Sequence, residues 1–443
     1  MSKYYSETLD QALNLLYFQA DPDKFPEGVR MLEQAVNNGE ADASYFLARC
    51  YAWGDGNVKY SGKKARQLSK RGIEQGSDLC VLGADRMDEL KGNVKEAMTK
   101  PLKQSFEAVL KMAEDGEPMA QYAIGLFYFW GDMYLNFQAP VGIDLNQCKR
   151  ENALEALKWF RLSAVQGCLP AFRNAFNIVI DGTNVVPTDL KGALDWMETV
   201  ADRVDLRDYY YSIALSYSQL KDYAQMSKWA QIGIENQDSA CAVKLGNEYL
   251  YGNIGGSDRK ENYREAVRYF EMAADWGSEY GFFNLGRCYY NGWGCERNYV
   301  TAVVYFEKAY RMGHRGCQSY LAQCYYWGKG VEQDQEMSFR LIQELIRAKM
   351  DYPKEILGLC YLYGKGTLPD YPRARQLLAE AAPDCPQVWK ELGDMFDRGL
   401  GGPEDVEKAV SCYQKAAAAG AAGADEALGR YKKTLFGKWK RKA

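Results

Sequence analysis

The chain has 443 residues, of which 47% are apolar and 26% charged, and its formal net charge is −4. This length exceeds what one compact core supports, so several domains or an elongated repeat array are expected. Without an overall basic excess, binding of nucleic acid over the whole surface is not expected.

The first segment, residues 1–40, predicts helices, with Ser6 as an N-cap and Glu7 in the first turn. It has no basic region followed by an apolar core, so it does not resemble a signal peptide. No stretch of the chain reaches the length of a membrane span. We therefore expect a cytoplasmic protein whose 12 cysteines are mostly thiols.

From residue 41 the sequence repeats with a period of about 36 residues. One small-residue slot recurs, and its last four members lie 36, 36 and 35 residues apart. Its clearest members are Ala48, Gly286, Ala322, Gly358 and Gly393, and weaker copies place Gly83, Gly125, Phe176, Ala214 and Gly246 there. Each unit continues with a second segment of helical apolar period that ends at glycine. About ten units of helix, glycine turn and helix are predicted across 41–131 and 152–420.

A Gly-x-Gly motif follows the first helix of five units, at Gly54/Gly56, Gly292/Gly294, Gly328/Gly330, Gly364/Gly366 and Gly399/Gly401. A phosphate-binding loop would follow a strand and would carry further glycines or a Gly-Lys-Ser/Thr sequence. Neither condition is met. We interpret the motif as a tight interhelical turn, which needs the positive φ that glycine adopts.

The repeated motif resembles that of the SEL-one-like repeat family, which is related to tetratricopeptide repeats. One unit matches in order at Leu285, Gly286, Tyr289, Gly292, Gly294, Ala302, Tyr305, Ala309 and Gly313. Stacked helix hairpins predict an all-α fold, a right-handed superhelical α-solenoid. The resemblance implies such a solenoid acting as an adaptor or scaffold, and it implies no particular partner.

Two segments depart from the repeat. Residues 132–151 form an insertion, which is either a functional loop or a loop that packs on its neighbours. Residues 421–443 predict a capping helix with a basic tail, in which Phe436 and Trp439 interleave with cationic residues. The cationic residues are Lys432, Lys433, Lys438, Lys440, Arg441 and Lys442. This tail either solubilises the open end of the array or contacts an acidic partner, RNA or a membrane surface.

Catalytic residues are scarce in this sequence. The single histidine, His314, lies in a turn between units, so a His-dependent triad or a His-rich metal site is not expected. Four cysteines occupy one recurring slot and are predicted to be buried apolar residues: Cys50, Cys288, Cys324 and Cys360. No metal site and no cofactor are predicted.

The first helices also carry a second set of positions, spaced i, i+3 and i+7, outside the Leu, Gly and Tyr slots. In tetratricopeptide-like solenoids the first helices line the concave face, so these positions would form the floor of a groove. The predicted partner-binding residues are Arg49, Trp53, Trp130, Asn247, Tyr251, Asn284, Arg287, Gln323, Trp327 and Tyr363. Their rings either contact a peptide or seal the joints between units.

The sequence therefore predicts a non-enzymatic scaffold that binds a peptide or a partner protein in this groove. Two alternatives remain open. One is an enzyme-associated subunit that acts through 132–151, and the other is an anchor to RNA or an anionic membrane through the basic tail.

Overall fold

The computed structural model describes residues 2–19, 21–84, 94–98, 100–130, 145–180, 187–434 and 437–442, with only the backbone of 145–148. They form two compact units, residues 1–226 and 227–443. Within both units nearly all regular structure is helical, and consecutive helices pack as hairpins. The predicted all-α solenoid of helix-turn-helix repeats is confirmed.

The described part of the first unit contains helices and several single 3₁₀ turns. In chain order the helices are α1 (Glu7–Leu13), α2 (Phe25–Asn37), α3 (Ala41–Trp53), α4 (Gly62–Glu74), α5 (Asp78–Leu82), α6 (Leu102–Glu114), α7 (Pro118–Phe129), α8 (Leu145–Val165), α9 (Leu169–Ile180), α10 (Leu190–Glu198) and α11 (Tyr210–Gln219). The predicted N-cap holds, since the Ser6 hydroxyl accepts from the Leu9 N–H. Part of the 132–151 insertion lies outside the described residues, and the rest, from Leu145, is already helical in α8.

The second unit repeats the hairpin more regularly. Its helices are α12 (Tyr223–Glu235), α13 (Ser239–Tyr251), α14 (Arg259–Asp275), α15 (Glu279–Asn291), α16 (Tyr299–Arg311), α17 (Cys317–Trp327), α18 (Gln335–Arg347), α19 (Lys354–Tyr363), α20 (Tyr371–Ala381), α21 (Trp389–Asp397), α22 (Val406–Ala418) and α23 (Ala424–Gly429). The ten predicted units correspond to the pairs from α3/α4 to α21/α22.

The small-residue slot brings the two helices of a hairpin close together. A Cβ on Gly286 of α15 would lie 2.5 Å from ring atoms of Phe306 in α16, so only glycine fits. The same approach, at 2.5–2.6 Å, recurs at three other pairs: Gly125 with Phe160, Gly246 with Phe270, and Gly393 with Tyr413. The glycine is therefore a packing requirement of a ring on the second helix.

The Gly-x-Gly motif forms the turn within the hairpin. Gly292 ends α15 in the left-handed conformation, with φ +76°, and its N–H bonds to the Cys288 carbonyl. A Cβ on the second glycine, Gly294, would collide with the Tyr263 carbonyl of the preceding hairpin. One glycine thus supplies the helix cap and the other a close contact between hairpins, as a turn motif requires.

In the hairpins from α13/α14 to α21/α22, the second helix begins after a polar N-cap, which satisfies N–H groups that lack an intrahelical partner. The Asn298 side chain accepts from the Thr301 N–H, for example. Aspartates occupy the equivalent position at Asp258, Asp334, Asp370 and Asp405.

The C-terminal segment differs from the expected capping helix and tail. Helix α23 ends at Gly429, and the chain continues as a two-stranded antiparallel hairpin of β1 (Tyr431–Lys433) and β2 (Trp439–Arg441). Tyr431 packs on Tyr413 of α22, with ring centroids 6.0 Å apart. The hairpin thus covers the last apolar surface of the second unit.

Candidate functional site

Five of the predicted residues form a recurring set of exposed rings, which we call the aromatic stripe. Each ring immediately precedes the first glycine of the interhelical turn. Their exposed fractions are 48% for Trp53, 53% for Trp130, 66% for Tyr251, 52% for Trp327 and 54% for Tyr363. Rings at this position therefore lie largely in solvent, whereas the neighbouring Leu and Cys slots are buried.

Arg49 lies beneath the first ring of the stripe. Only 8% exposed, it forms a 3.1 Å ion pair with Asp55 and donates to the Tyr122 hydroxyl at 3.2 Å. Its guanidinium carbon also lies 5.2 Å from the Trp53 ring centroid. Burial opposes the charge, but Tyr122 and Asp55 outweigh it and raise the pKa of Arg49. Arg49 is therefore engaged within the first unit and supports Trp53 rather than projecting toward a partner.

In the second unit Asn284 and Arg287 form a connected pair. Asn284 is buried, donates to the Tyr280 carbonyl and accepts from Arg287 at 2.9 Å. Arg287 is half-buried, and its guanidinium carbon lies 5.5 Å from the Trp293 ring centroid. Burial lowers its pKa, but the neighbouring phenols, led by Tyr320, raise the pKa of Arg287 above its usual range. Asn284 is thus a support, and Arg287 is only partly accessible.

The amides of the predicted set are also only half accessible. Gln323 is half-buried and accepts from the Tyr290 hydroxyl at 3.3 Å. Asn247 is half-buried on α13. In this unit the accessible part of the predicted surface is therefore made of Tyr251, Trp327 and Tyr363, with the amides between them.

Two carboxylates near the end of the stripe are not among the predicted partner-binding residues. Glu355 and Glu391 lie in the first turns of α19 and α21, and both are half-buried. Burial raises the pKa of each carboxyl group. The Glu391 carboxylate is close enough to raise the pKa of Tyr363 after burial, the larger cause. Glutamate is common in first turns, so the sequence offers no signal of this placement.

The single histidine is packed between rings. Its imidazole stacks on Phe283 at 4.2 Å and meets the edge of Tyr280 at 4.8 Å. Burial lowers the pKa of His314. No hydroxyl, thiol or carboxylate of the described residues is hydrogen-bonded to its imidazole ring, as a nucleophile-activating base would require, and the Cys317 thiol donates to the His314 backbone carbonyl instead.

The recurring cysteines occupy the core, as predicted. Cys50, Cys288, Cys324 and Cys360 are fully buried thiols. Burial raises the pKa of Cys288 to about 12, which suppresses the reactive thiolate. In the described part of the chain, no cluster of His, Cys, Asp and Glu could hold a metal ion. Among those same residues, no helix is long and apolar enough to cross a membrane.

The fold and this surface together define a repeat protein of the α-solenoid class. The sequence profile of the Sel1 repeat matches more than half of the chain, in eight segments that fall on seven of the hairpins. The matched residues are 41–77, 118–136, 143–168, 239–278, 283–314, 316–348, 356–382 and 391–420. The chain belongs to the Sel1 repeat family.

Solved structures with a similar fold include two repeat proteins. One is c5321, a protective antigen present in uropathogenic Escherichia coli strains that displays an SLR fold. It is 20% identical, with 90% of this chain and 89% of that chain covered and a TM-score of 0.50. The other is a Sel1 repeat protein from Oxalobacter formigenes, 21% identical, with 73% and 90% covered and a TM-score of 0.48. A search of curated proteins finds no match.

Proposed function

We propose that this protein is a non-enzymatic interaction scaffold that binds an extended peptide or a partner helix at the stripe rings of its second unit, Tyr251, Trp327 and Tyr363. The observation that carries the proposal is the exposure of Trp53, Trp130, Tyr251, Trp327 and Tyr363 at one repeat position. Membership of the Sel1 repeat family supports it, because such repeats generally serve as scaffolds for protein interactions.

Rings of this kind suit recognition. They provide a large contact area and lose little conformational entropy on binding, since only two side-chain torsions are fixed. Buried Trp and Tyr side chains are also the residues whose truncation most often weakens an interface. In the second unit, Trp327 and Tyr363 follow each other on successive first helices and are our strongest candidates.

Two carboxylates near Trp327 and Tyr363 along the chain indicate which charge a partner segment should carry. Glu355 and Glu391 lie at the start of α19 and α21, and both side chains are partly exposed. A Lys or Arg side chain from the partner would satisfy such a carboxylate and could also stack on Tyr363. We therefore expect partner segments that combine apolar and cationic residues.

The test is a selection of random displayed peptides against the wild-type protein. Peptides that bind should lose at least about tenfold in affinity for the Trp327→Ala/Tyr363→Ala variant, because each ring is expected to contribute about 1 kcal/mol or more. The matched control is Leu368→Ala/Tyr371→Ala, which removes two exposed apolar side chains outside the stripe. Circular dichroism must first show that all proteins are equally helical. Peptides that bind the first double variant as tightly as wild type would contradict the proposal.

A further inference from the structure

The C-terminal hairpin separates its side chains into two faces. Side chains alternate along a strand, and directly paired residues share a face. The pairing of Tyr431 with Arg441 and of Lys433 with Trp439 places these four residues on one face. The pairing of Lys432 with Lys440 places that pair on the opposite face.

The first face is fixed against the second unit. The Trp439 ring packs on the α22 apolar cluster, and the Trp439 backbone N–H donates to Glu407 Oε1 at 2.7 Å. Arg441 forms ion pairs with Asp397 at 2.6 Å and with Glu404 at 3.4 Å. The Tyr431 and Trp439 rings and the Arg441 guanidinium are therefore used internally.

Among the described residues, the opposite face carries lysines, one threonine and Arg430, whose guanidinium is ion-paired with Glu426 at 3.3 Å. The ladder continues beyond the strands, since the Thr434 N–H bonds to the Lys438 carbonyl and the Lys442 N–H to the Arg430 carbonyl. Alternation then adds two residues, and we call the resulting set the lysine face: Lys432, Lys438, Lys440 and Lys442. All four are exposed, and none forms an ion pair with the described part of the chain.

This arrangement is unfavourable for the isolated hairpin. Lys432 lies directly opposite Lys440, and like charges at paired positions destabilise a sheet. Positions that break a local rule without internal compensation are where function is expected. An anionic ligand would supply the missing compensation.

We propose that the lysine face binds an acidic segment of a partner protein in an extended conformation. Lys438, Lys440 and Lys442 occupy alternate positions, so successive lysines lie about 6.7 Å apart along the strand. An extended segment with Asp or Glu at every second residue has the same spacing. The charges of such a segment would match the lysines one by one.

Two other anionic partners fit less well. Among the described residues this face offers no ring for base stacking, because Tyr431 and Trp439 turn to the other side with Arg441, and its guanidinium, that of Arg430, is already ion-paired with Glu426. A membrane anchor needs an apolar or lipid signal besides the charge, and the described residues of this face provide none. A long polyanion that extends beyond the lysine face would also be repelled by the rest of the chain, because the net charge of the whole chain is −4.

The test uses a short fluorescein-labelled peptide in which Glu and Ser alternate, titrated with the full chain at low salt. Fluorescence anisotropy should show binding that weakens with salt and is lost when Gln replaces Glu in the peptide. The Lys438→Gln/Lys440→Gln/Lys442→Gln variant should bind about tenfold more weakly, from three exposed charge pairs. Hydrogen exchange of the hairpin amides checks that the variant keeps its fold.

Three controls decide the assignment. The Lys103→Gln/Lys260→Gln/Lys365→Gln variant has the same change in net charge at scattered exposed lysines and should bind like wild type. A peptide of equal composition with its Glu residues in one block should bind more weakly. Equal binding of the block peptide, or undiminished binding by the lysine-face variant, would overturn the proposal. So would tighter binding of a short RNA duplex or of phosphatidylserine vesicles that depends on the same lysines.

Discussion

Replacing Gly286 by alanine should destabilise the α15/α16 hairpin, although alanine is the better helix former. The new methyl group would lie 2.5 Å from the Phe306 ring. Phe306 is fully buried, so the ring has little room to move. In this variant helix propensity favours folding and the packing of the methyl group opposes it. The sign of the change in the free energy of unfolding therefore shows which of the two contributions is larger.

The two terms can be estimated. Alanine in place of a mid-helix glycine contributes about 0.5–1 kcal/mol in favour of folding. Overpacking a filled core costs about 1–3 kcal/mol. The net expectation is a loss of about 1 kcal/mol, which corresponds to about fivefold in the population of the open state.

Hydrogen exchange is the suitable assay, because repeat arrays can open locally and need not unfold as one unit. Amides of α15 and α16 should exchange about fivefold faster in the variant. The next hairpin suggests the control, since its equivalent positions hold Ala322 and the smaller Ile342. The double variant Gly286→Ala/Phe306→Ile imports this combination and should be more stable than the sum of its single changes, by about 1 kcal/mol.

Slower exchange in Gly286→Ala would refute the packing argument. It would mean that the ring yields at little cost and that helix propensity dominates. Strict additivity in the double variant would refute the claim that Phe306 is what excludes the methyl group.

Three further predictions concern other groups of the structure. Arg49→Met should destabilise the first unit by about 3–5 kcal/mol in urea unfolding, because Asp55 loses its buried partner. Adding Asp55→Asn to this variant should recover part of the lost stability. A loss below about 1 kcal/mol would contradict the prediction. With a thiol reagent near pH 8, half-buried Cys295 should react before Cys288, because Cys288 is buried and its pKa is raised to about 12. Mass spectrometry of the labelled native protein measures the two rates. Equal rates would contradict the burial of Cys288. Burial lowers the pKa of His314, so the free energy of unfolding should fall as the pH drops below the unfolded-state pKa of about 6.5 toward the folded-state pKa. The His314→Phe variant should lack this pH dependence. A proton NMR titration of the single imidazole that gives a pKa above about 6.5 would refute the prediction.

The repeat could be predicted because its packing is local. The glycine slot, the Gly-x-Gly turn and the second helix lie within one period, so a constraint such as that between Gly286 and Phe306 leaves a mark in the sequence. The tail was harder to predict, since its lysines suggested only a charged end. The alternation of Trp439 with Lys438 and Lys440, preceded by a glycine at 437, is the sequence signal of a hairpin that could have been used.

The candidate surface was predictable only in part, because burial depends on neighbours distant in sequence. Arg49 was grouped with Trp53 by its helical position, yet it donates to Tyr122, which lies in another hairpin 73 residues away. The sequence of the repeat unit that contains Arg49 gives no signal of its contact with Tyr122. The sequence likewise left open whether the Trp53 ring is exposed or packed, and the structure leaves about half of it, 48%, exposed.

The position before the turn glycine shows why the fold is readable while the partner is not. It holds Trp327 in one hairpin, Tyr363 in the next, Asn291 in the one before and Arg398 in the last. Hairpins with a ring, an amide or a cation there all form the same turn, so folding places no demand on this residue. The choice of residue is therefore free to be set by what the surface contacts, and five rings at a position without a structural requirement favour recognition over packing. The Gly286 and Trp327 substitutions test the two halves of this argument separately, since the first should alter stability and the second only binding.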